Sequence, residues 1–238
     1  MGSHAVEAIE AAEGLELVAG IGREDSLDAV LEAGAEVAVE LTVPKSTEDN
    51  VRYLVERGIK VVVGTTGWDA EKLARLEELL TAHPESAVLI APNFSIGAVL
   101  AMHFAELAAP YFDSAEVLEI HHTRKLDAPS GTAVHTAQKI AAARAAAGLG
   151  AVPDNTESDP LGGRGAVVDG IHVHSVRQAG MNAHEEIHFG SMGEALTIRT
   201  DSWSTSAFMP GIVTAVKEIP QRTGLAVGLE NYLSLRTA

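Results

Sequence analysis

The feature that most constrains the fold is an alternation of short apolar segments with helical segments over the first 95 residues. Apolar runs typical of buried strands occupy residues 15–21, 37–42, 59–63 and 87–91. Segments with helical periodicity occupy residues 3–13, 26–33, 48–57 and 69–82. Strands that alternate with helices in this way pair in parallel and are buried on both faces. The pattern therefore predicts a doubly wound α/β sheet, which binds ligands beyond the carboxyl ends of its strands.

The pattern changes after about residue 96. Helices are predicted at residues 98–108, 130–147 and 210–218, and strands at residues 115–121, 171–177, 183–189 and 194–200. The last three strands alternate polar and apolar residues, which is typical of an antiparallel or mixed sheet with one covered face. Residues 148–165 predict a long surface loop, and residues 228–235 a short tail. The α/β half is thus followed by an α+β half.

Composition and charge limit the partners of this protein. The 238 residues include no cysteine, which excludes disulfides and favours the cytoplasm. No apolar run is long enough to cross a bilayer, and Met1 begins no secretory signal, so we expect a cytoplasmic protein without membrane association. The formal net charge of −16 repels nucleic acid and anionic lipid. An anionic ligand would therefore need a local cluster of cationic side chains.

Such a cluster lies at the carboxyl end of a predicted strand. The run H-H-T-R-K at residues 121–125 joins two histidines, an arginine and a lysine. Histidine exchanges protons near neutral pH, and Lys125 can bind a carboxylate or donate a proton. Ser130 is a typical N-cap, Gly131 allows close approach to the backbone, and Thr132 adds a hydroxyl. Together these residues predict a site for a small anionic substrate that reacts by proton transfer.

Other interpretations of this run remain open from the residues alone. A His-His pair in a loop is often a surface feature, and a Ser-Gly-Thr sequence is often only a helix cap. The ten histidines also allow a zinc site and a metal-dependent lyase. However, His172 and His174 alternate along a predicted strand, and the sequence has neither cysteine nor an H-E-x-x-H motif. We therefore expect no metal ion.

Two further strand ends favour a cofactor site. Gly64-Thr65-Thr66-Gly67 follows one predicted strand and combines a tight turn with hydroxyl groups. Ala91-Pro92-Asn93-Phe94-Ser95 ends another, and its asparagine is suited to bind a carboxamide. Either sequence is equally compatible with an ordinary turn.

The run E-I-H-H-T-R-K-L-D-A-P-S-G-T-A at residues 119–133 closely resembles the motif of the 4-hydroxy-tetrahydrodipicolinate (dihydrodipicolinate) reductase family of bacterial lysine and diaminopimelate biosynthesis. V-V-G-T-T-G-W at residues 62–68 and A-P-N-F-S-I-G at residues 91–97 resemble cofactor-side motifs of the same family. Similar segments at residues 164–177, 183–190 and 193–199 extend the resemblance over essentially the whole chain, which is most similar to actinobacterial members.

The resemblance implies an oxidoreductase that transfers hydride from NADH or NADPH to a cyclic dicarboxylate, with loss of water. It implies that His121 and Lys125 are catalytic. The residues implied to bind substrate are His122, Ser130, Gly131 and Thr132. Those implied to line the nicotinamide are Gly64, Thr65, Thr66, Ala91, Pro92, Asn93 and Phe94.

The resemblance also implies a division of labour between two domains. Residues 1–95 and 206–238 would form a Rossmann-like dinucleotide-binding domain. Residues 96–205 would bind the substrate and assemble a homotetramer through their sheet.

The sequence departs from the family's pattern at its amino end. Gly2 stands where the last glycine of the pyrophosphate-binding turn is expected, so the first strand and most of that turn, about ten residues in all, have no counterpart in this sequence. A start codon upstream of Met1 and a truncation both explain this difference. A chain that really begins at Met1 is expected to bind dinucleotide poorly, which leaves a catalytically impaired, ligand-binding homologue as the alternative function.

Two positions bear on the choice of cofactor. Gly22 replaces the acidic residue that binds the ribose diol in many NAD sites, and Arg23 next to it is suited to pair with a 2′-phosphate. We therefore expect both NADH and NADPH to be used. Leu41 stands where many relatives have an aromatic residue, and Thr205 stands where many have an arginine.

Overall fold

The computed structural model describes residues 1–233 and divides the chain into two compact units. One unit comprises Met1–Ile96 and Thr205–Ala238, and the other comprises Gly97–Ser204. Residues 234–238, which hold the end of the predicted tail, lie outside the described residues. Among residues 1–233, no helix has both the length and the apolar character that a membrane span requires.

Helices and short strands alternate along the first unit. Its helices before residue 96 are α1 (Gly2–Ala11), α2 (Asp28–Glu32), α3 (Thr47–Val55) and α4 (Ala70–Ala82). The strands between them are β1 (Val37–Glu40), β2 (Lys60–Val63) and β3 (Ala87–Ile90). Gly58, in the left-handed conformation, turns the chain from α3 into β2. Asp69 caps α4 by accepting a hydrogen bond of 2.9 Å from the backbone N–H of Lys72.

The second unit is built around a mixed sheet. It continues from α5 (Ile96–Ala108) with β4 (Ser114–His121), α6 (Gly131–Ala146), β5 (Ala166–Val168), β6 (Ile171–Arg177), β7 (Ala183–Ser191) and β8 (Glu194–Ser202). The strand order is β5-β6-β4-β7-β8, with β4 parallel to β6 and antiparallel to β7. One face of this sheet packs on the core of the unit, whose largest buried side chains are Ile140, Ile171, Ile187 and Phe189.

The chain then returns to the first unit with α7 (Met209–Glu218) and β9 (Gly224–Val227). Short 3-10 helices occupy Ala109–Tyr111, Thr205–Phe208, Ile219–Gln221 and Leu229–Tyr232. The first sheet has the order β1-β2-β3-β9, and all its pairs are parallel. Because β2 and β3 are central, Val61, Val62 and Val63 are completely buried. The carboxyl ends of these strands share one edge of the sheet.

The predicted fold class is confirmed, since a parallel sheet with helices is joined to a second, mixed sheet. The strand predicted at residues 15–21 is wrong. That segment has no strand conformation, and Val18 and Ile21 are 41% and 37% exposed. In the part of the chain that the structure describes, β1 pairs only with β2. An apolar run can form a strand only where a neighbouring backbone accepts its hydrogen bonds, and the run itself does not report that neighbour.

The strand β9 has no counterpart in the sequence prediction. Its four residues, G-L-A-V, are too few to establish a periodicity, and the first is a glycine. It becomes a strand because it pairs with β3, with Leu89 opposite Ala226.

Gly211 in α7 permits a close approach to the segment that follows β3. The Cβ of any other residue at this position would lie 2.0 Å from the carbonyl oxygen of Phe94. We expect Gly211→Ala to destabilise the protein by about 1–3 kcal/mol, although alanine in an open helix is favoured by about 1 kcal/mol. Thermal unfolding followed by circular dichroism measures this loss as a lower midpoint. Gly150→Ala, with no atom within 4 Å of the new Cβ, is the control. Equal midpoints for both variants would contradict the close approach.

Candidate active site

His121 is the last residue of β4, and a buried carboxylate holds its ring. Nδ1 of His121 forms a short contact with Oε2 of Glu119, two positions earlier on the same face of the strand. Glu119 is completely buried. Because an ionised carboxylate only accepts hydrogen bonds, Nδ1 carries the proton in this contact. Nε2 is then the ring atom available for proton transfer.

Arg177, the last residue of β6, pairs with Glu119 from the other side. Its Nη1 and Nη2 each donate a 2.9 Å hydrogen bond, one to each carboxylate oxygen. Burial raises the pKa of Glu119, but the hydrogen bonds from His121, Arg177 and Ser175 outweigh burial and lower the pKa to about 2. Glu119 is therefore ionised at neutral pH.

The loop between β4 and α6 carries His122 and Lys125. Nζ of Lys125 lies 2.8 Å and 3.0 Å from the two carboxylate oxygens of Asp127, and this hydrogen-bonded contact lowers the pKa of Asp127. The side chain of Asp127 is 60% exposed, so the ion pair faces solvent. Nδ1 of His122 accepts a 3.2 Å hydrogen bond from the backbone N–H of Arg124.

The start of α6 provides an anion-binding end directly after this loop. Ser130 is the N-cap; it is buried, and its Oγ accepts a 3.2 Å hydrogen bond from the backbone N–H of Ala133. A Cβ added at Gly131 would meet no atom within 4 Å, so the space beside the helix start is open. The first turn of a helix directs N–H groups and positive potential outward. Such a helix end is suited to bind a carboxylate. Thr132 lies in the same turn.

A second buried carboxyl group lies beside Glu119. Glu185 of β7 is its partner in the antiparallel register, and Oγ1 of Thr136 lies 3.0 Å and 3.2 Å from the two oxygens of Glu185. Burial, helped by the charge of Glu119 and opposed by the Thr136 hydrogen bond, raises the pKa of Glu185 to about 7. Thr136 also donates to the carbonyl oxygen of Thr132 at 3.0 Å. A protonated Glu185 donates to Thr136, so all three groups are then satisfied.

Two of the residues predicted to line the nicotinamide are held by packing after β2. Oγ1 of the buried Thr65 accepts a 2.8 Å hydrogen bond from the backbone N–H of Thr42. A Cβ at Gly64 would lie 2.6 Å from Leu41 and 2.7 Å from Phe94. The protein's own packing therefore requires glycine at position 64, and the hydroxyl of Thr65 joins two strand ends.

The strand ends of β2 and β3 lie side by side at one edge of the sheet. Val63 pairs with Ile90, so residues 64–66 and 91–94 are neighbours. Thr66 and Pro92 are exposed at these ends. The side chain of Asn93 turns back on its own segment, where Oδ1 accepts a 2.8 Å hydrogen bond from the backbone N–H of Ser95, while Ala91 and Phe94 are buried. Exposed turns on neighbouring parallel strands form the crevice in which such sheets bind nucleotides.

The residues predicted for the phosphate and ribose side are all exposed. Gly2 is the first residue of α1, and a Cβ there would meet no atom within 4 Å. The backbone N–H of Gly22 donates a 2.7 Å hydrogen bond to Asp25, and Arg23 lies in the turn between them.

Four residues of this site were not predicted from the sequence: Glu119, Asp127, Arg177 and Glu185. Glu119 and Asp127 lie within the quoted motif, and the two-residue spacing of Glu119 from His121 on a strand is a signal that they share a face. Arg177 is 58 residues from Glu119, and only strand pairing reveals the contact. Among residues 1–233, no group of three or more His, Asp or Glu side chains has the arrangement of a metal site.

A parallel sheet with open strand ends, together with a histidine and a lysine beside a helix start suited to anions, is typical of dinucleotide-dependent oxidoreductases that act on small anions. The amino-terminal part of the chain, residues 1–94, matches the family model "Dihydrodipicolinate reductase, N-terminus". Residues 97–233 match "Dihydrodipicolinate reductase, C-terminus".

Two relatives are 4-hydroxy-tetrahydrodipicolinate reductases. The protein of Streptomyces coelicolor is 56% identical over 99% of this chain and 94% of its own length. That of Corynebacterium aurimucosum is 57% identical over 99% of this chain and 95% of its own length. The solved dipicolinate-bound dihydrodipicolinate reductase from Paenisporosarcina sp. TG-14 is 36% identical, with a TM-score of 0.86 over 98% of this chain and 95% of that one. The chain belongs to the dihydrodipicolinate reductase family, as the sequence motifs predicted.

The raised pKa of Glu185 predicts how stability depends on pH. In the unfolded chain this carboxyl group loses its proton near pH 4.5, but in the folded protein it does so only near pH 7. Its contribution to the free energy of unfolding therefore falls as pH rises between these values, by a total of about 3 kcal/mol. We expect Glu185→Gln to match the wild type at pH 4.5 and to exceed its stability by up to about 3 kcal/mol at pH 8.

Urea unfolding at a series of pH values measures this difference. Glu194→Gln, at an exposed carboxylate of β8, is the control and should leave the curve unchanged. A Glu185→Gln curve parallel to that of the wild type would show that this carboxyl group has an ordinary pKa.

Proposed function

We propose that this protein reduces 4-hydroxy-tetrahydrodipicolinate to tetrahydrodipicolinate, with a nicotinamide dinucleotide as the reductant. The single observation that carries this proposal is the placement of His121, Lys125 and the open start of α6 within one loop and its flanking elements. Membership of the reductase family fixes the class of reaction to which this arrangement is suited.

The proposed roles of the site residues follow from their chemistry. The dinucleotide supplies a hydride to a ring carbon when bound, and the substrate hydroxyl leaves with a proton as water. Lys125 and His121 are the proton donors, and Nε2 is the atom of His121 that transfers the proton, because Nδ1 is committed to Glu119. The N–H groups of Gly131 and Thr132 bind one substrate carboxylate, and His122 contacts the substrate. Ser130 supports this end of α6 as its cap.

The first unit is the proposed dinucleotide-binding domain. Gly64, Thr65, Thr66 and residues 91–94 form the nicotinamide side, since they lie at adjacent strand ends. Gly2, Gly22 and Arg23 form the phosphate and ribose side. Both NADH and NADPH are proposed cofactors, because Gly22 offers no carboxylate to repel a 2′-phosphate.

The second unit is proposed to bind substrate and to assemble a homotetramer through its sheet. This is supported by β8, whose residues are mostly exposed on both faces of the strand. We also propose a cytoplasmic enzyme without nucleic-acid partners, in line with its biosynthetic class and its net charge of −16. Nothing in the described residues favours the catalytically impaired alternative.

Removal of either proton donor tests the proposed chemistry. We expect His121→Gln and Lys125→Met each to lower kcat for the dicarboxylate substrate by about 10² to 10⁴-fold, the usual contribution of a positioned acid or base. Steady-state kinetics with saturating dinucleotide measures the loss. Arg124→Gln, an exposed neighbour in the same loop, is the matched control and should stay within about threefold of wild type. Wild-type rates in both single variants would refute the assignment.

The residues at positions 22 and 23 predict use of both dinucleotides. We expect the values of kcat/KM for NADH and NADPH to differ by less than about a hundredfold. Arg23→Ala should weaken NADPH more than NADH, because only NADPH carries the 2′-phosphate that this side chain would pair with. A preference for NADH above about a hundredfold would contradict the proposal.

A further inference from the structure

The buried carboxylate of Glu119 is shared between one ring nitrogen and one guanidinium. Its Oε2 contacts Nδ1 of His121 and accepts from Nη1 of Arg177, while its Oε1 accepts from Nη2 of Arg177. The arginine fork thus meets the carboxylate with both arms, an arrangement that fixes the orientation of both groups. The side chain of Glu119 is only 1% exposed, so water cannot replace either partner.

We propose that Glu119 and Arg177 form a positioning pair, in which Glu119 fixes the ring of His121 and Arg177 holds the loop that carries Lys125. The proposal rests on the proposed role of His121 as a proton donor. Neither member of the pair needs to touch substrate or dinucleotide, since both act through the groups that they hold.

The carboxylate selects the tautomer of His121. Because it accepts from Nδ1–H, the neutral ring presents Nε2 without a proton, and the protonated ring donates from Nε2. In the other neutral tautomer, with the proton on Nε2 only, the lone pair of Nδ1 would face a lone pair of the carboxylate, and the two would repel each other. Glu119 thus keeps His121 in the form that can take up a proton and give it to the substrate.

The guanidinium keeps this carboxylate charged. Glu185 lies opposite Glu119 in the neighbouring strand, and two buried carboxylates at that separation repel each other. The charged and titratable groups that face Glu119 are His121 on its own strand, Arg177 on β6 and Glu185 on β7. The guanidinium of Arg177 donates to both oxygens of Glu119 and, together with His121, favours ionisation of Glu119 over that of Glu185.

The same guanidinium also holds the loop. Nη2 of Arg177 donates a 2.7 Å hydrogen bond to the carbonyl oxygen of Asp127, whose side chain in turn contacts Lys125. One side chain therefore links the strand that ends at His121 with the loop that presents Lys125. A small displacement of such a link is enough to misplace two proton donors at once.

The test is a double-variant cycle on the intact enzyme. Glu119→Gln should lower kcat by about 10- to 100-fold, with a smaller change in KM for the substrate. If Glu119 acts through His121, the double variant of Glu119→Gln with His121→Gln should be no slower than His121→Gln alone. Two losses that multiply in the double variant would overturn the proposal, because they would show that Glu119 acts independently of His121.

Glu116→Gln is the matched control, because Glu116 lies on the same strand and also accepts from a histidine and an arginine, His174 and Arg164, outside the site. It should keep kcat within about threefold of wild type. If Glu119→Gln fails to fold, the tautomer of His121 in the wild-type enzyme decides the question. Nitrogen-15 NMR, with the signal assigned by its loss in His121→Gln, should show the neutral ring protonated on Nδ1, and protonation on Nε2 would overturn the proposal.

Failure of this proposal is separable from failure of the proposed function. A normal rate in His121→Gln would remove the role of His121 itself. A large loss in His121→Gln, combined with a wild-type rate in Glu119→Gln, would remove only the positioning pair.

Discussion

The ion pair between Glu119 and Arg177 is the interaction on which the candidate site depends. It joins two parallel strands, β4 and β6, near their carboxyl ends, and extends to the loop through the carbonyl oxygen of Asp127. Breaking a buried ion pair by removing one partner leaves an uncompensated charge, which costs far more than the pair itself contributes. Such a pair is therefore best understood as a constraint on geometry. It permits few arrangements of the groups around it.

Two carboxyl groups on one face of this sheet show how environment sets charge. Glu119 and Glu185 are both buried and lie opposite each other. Burial raises the pKa of Glu119, but hydrogen bonds from an imidazole and a guanidinium outweigh burial and lower the pKa to about 2. For Glu185, the hydrogen bond with the hydroxyl of Thr136 is too weak to offset burial, so the pKa is raised to about 7. At neutral pH the sheet thus carries the full charge of Glu119, which the half-buried Arg177 compensates, while Glu185 is only partly ionised.

The local parts of this arrangement can be predicted from the sequence. His121, Lys125 and the cap at Ser130 lie within one short run, where residue type and spacing are sufficient to predict chemistry. The contacts of Arg177 and Glu185 with Glu119 could not be predicted in this way, because strand pairing brings these residues together from distant parts of the chain. The same reason explains the wrong strand at residues 15–21. Apolar patterning shows that a segment can form a strand, whereas hydrogen-bonding partners decide whether it does.

The two cations of the second unit's site differ in how firmly they are held. Arg177 makes a bidentate contact with a buried carboxylate, so releasing it would leave Glu119 charged and unpaired. Lys125 instead pairs with Asp127, whose side chain is 60% exposed. An exposed pair of this kind contributes about 0–1 kcal/mol, because water solvates both ions once they separate. Lys125 can therefore exchange Asp127 for a substrate carboxylate or a reacting atom at little cost, whereas release of Arg177 from Glu119 is costly. The exposure of the partner carboxylate, more than the charge of the cation, distinguishes the group suited to chemistry from the group that holds it in place.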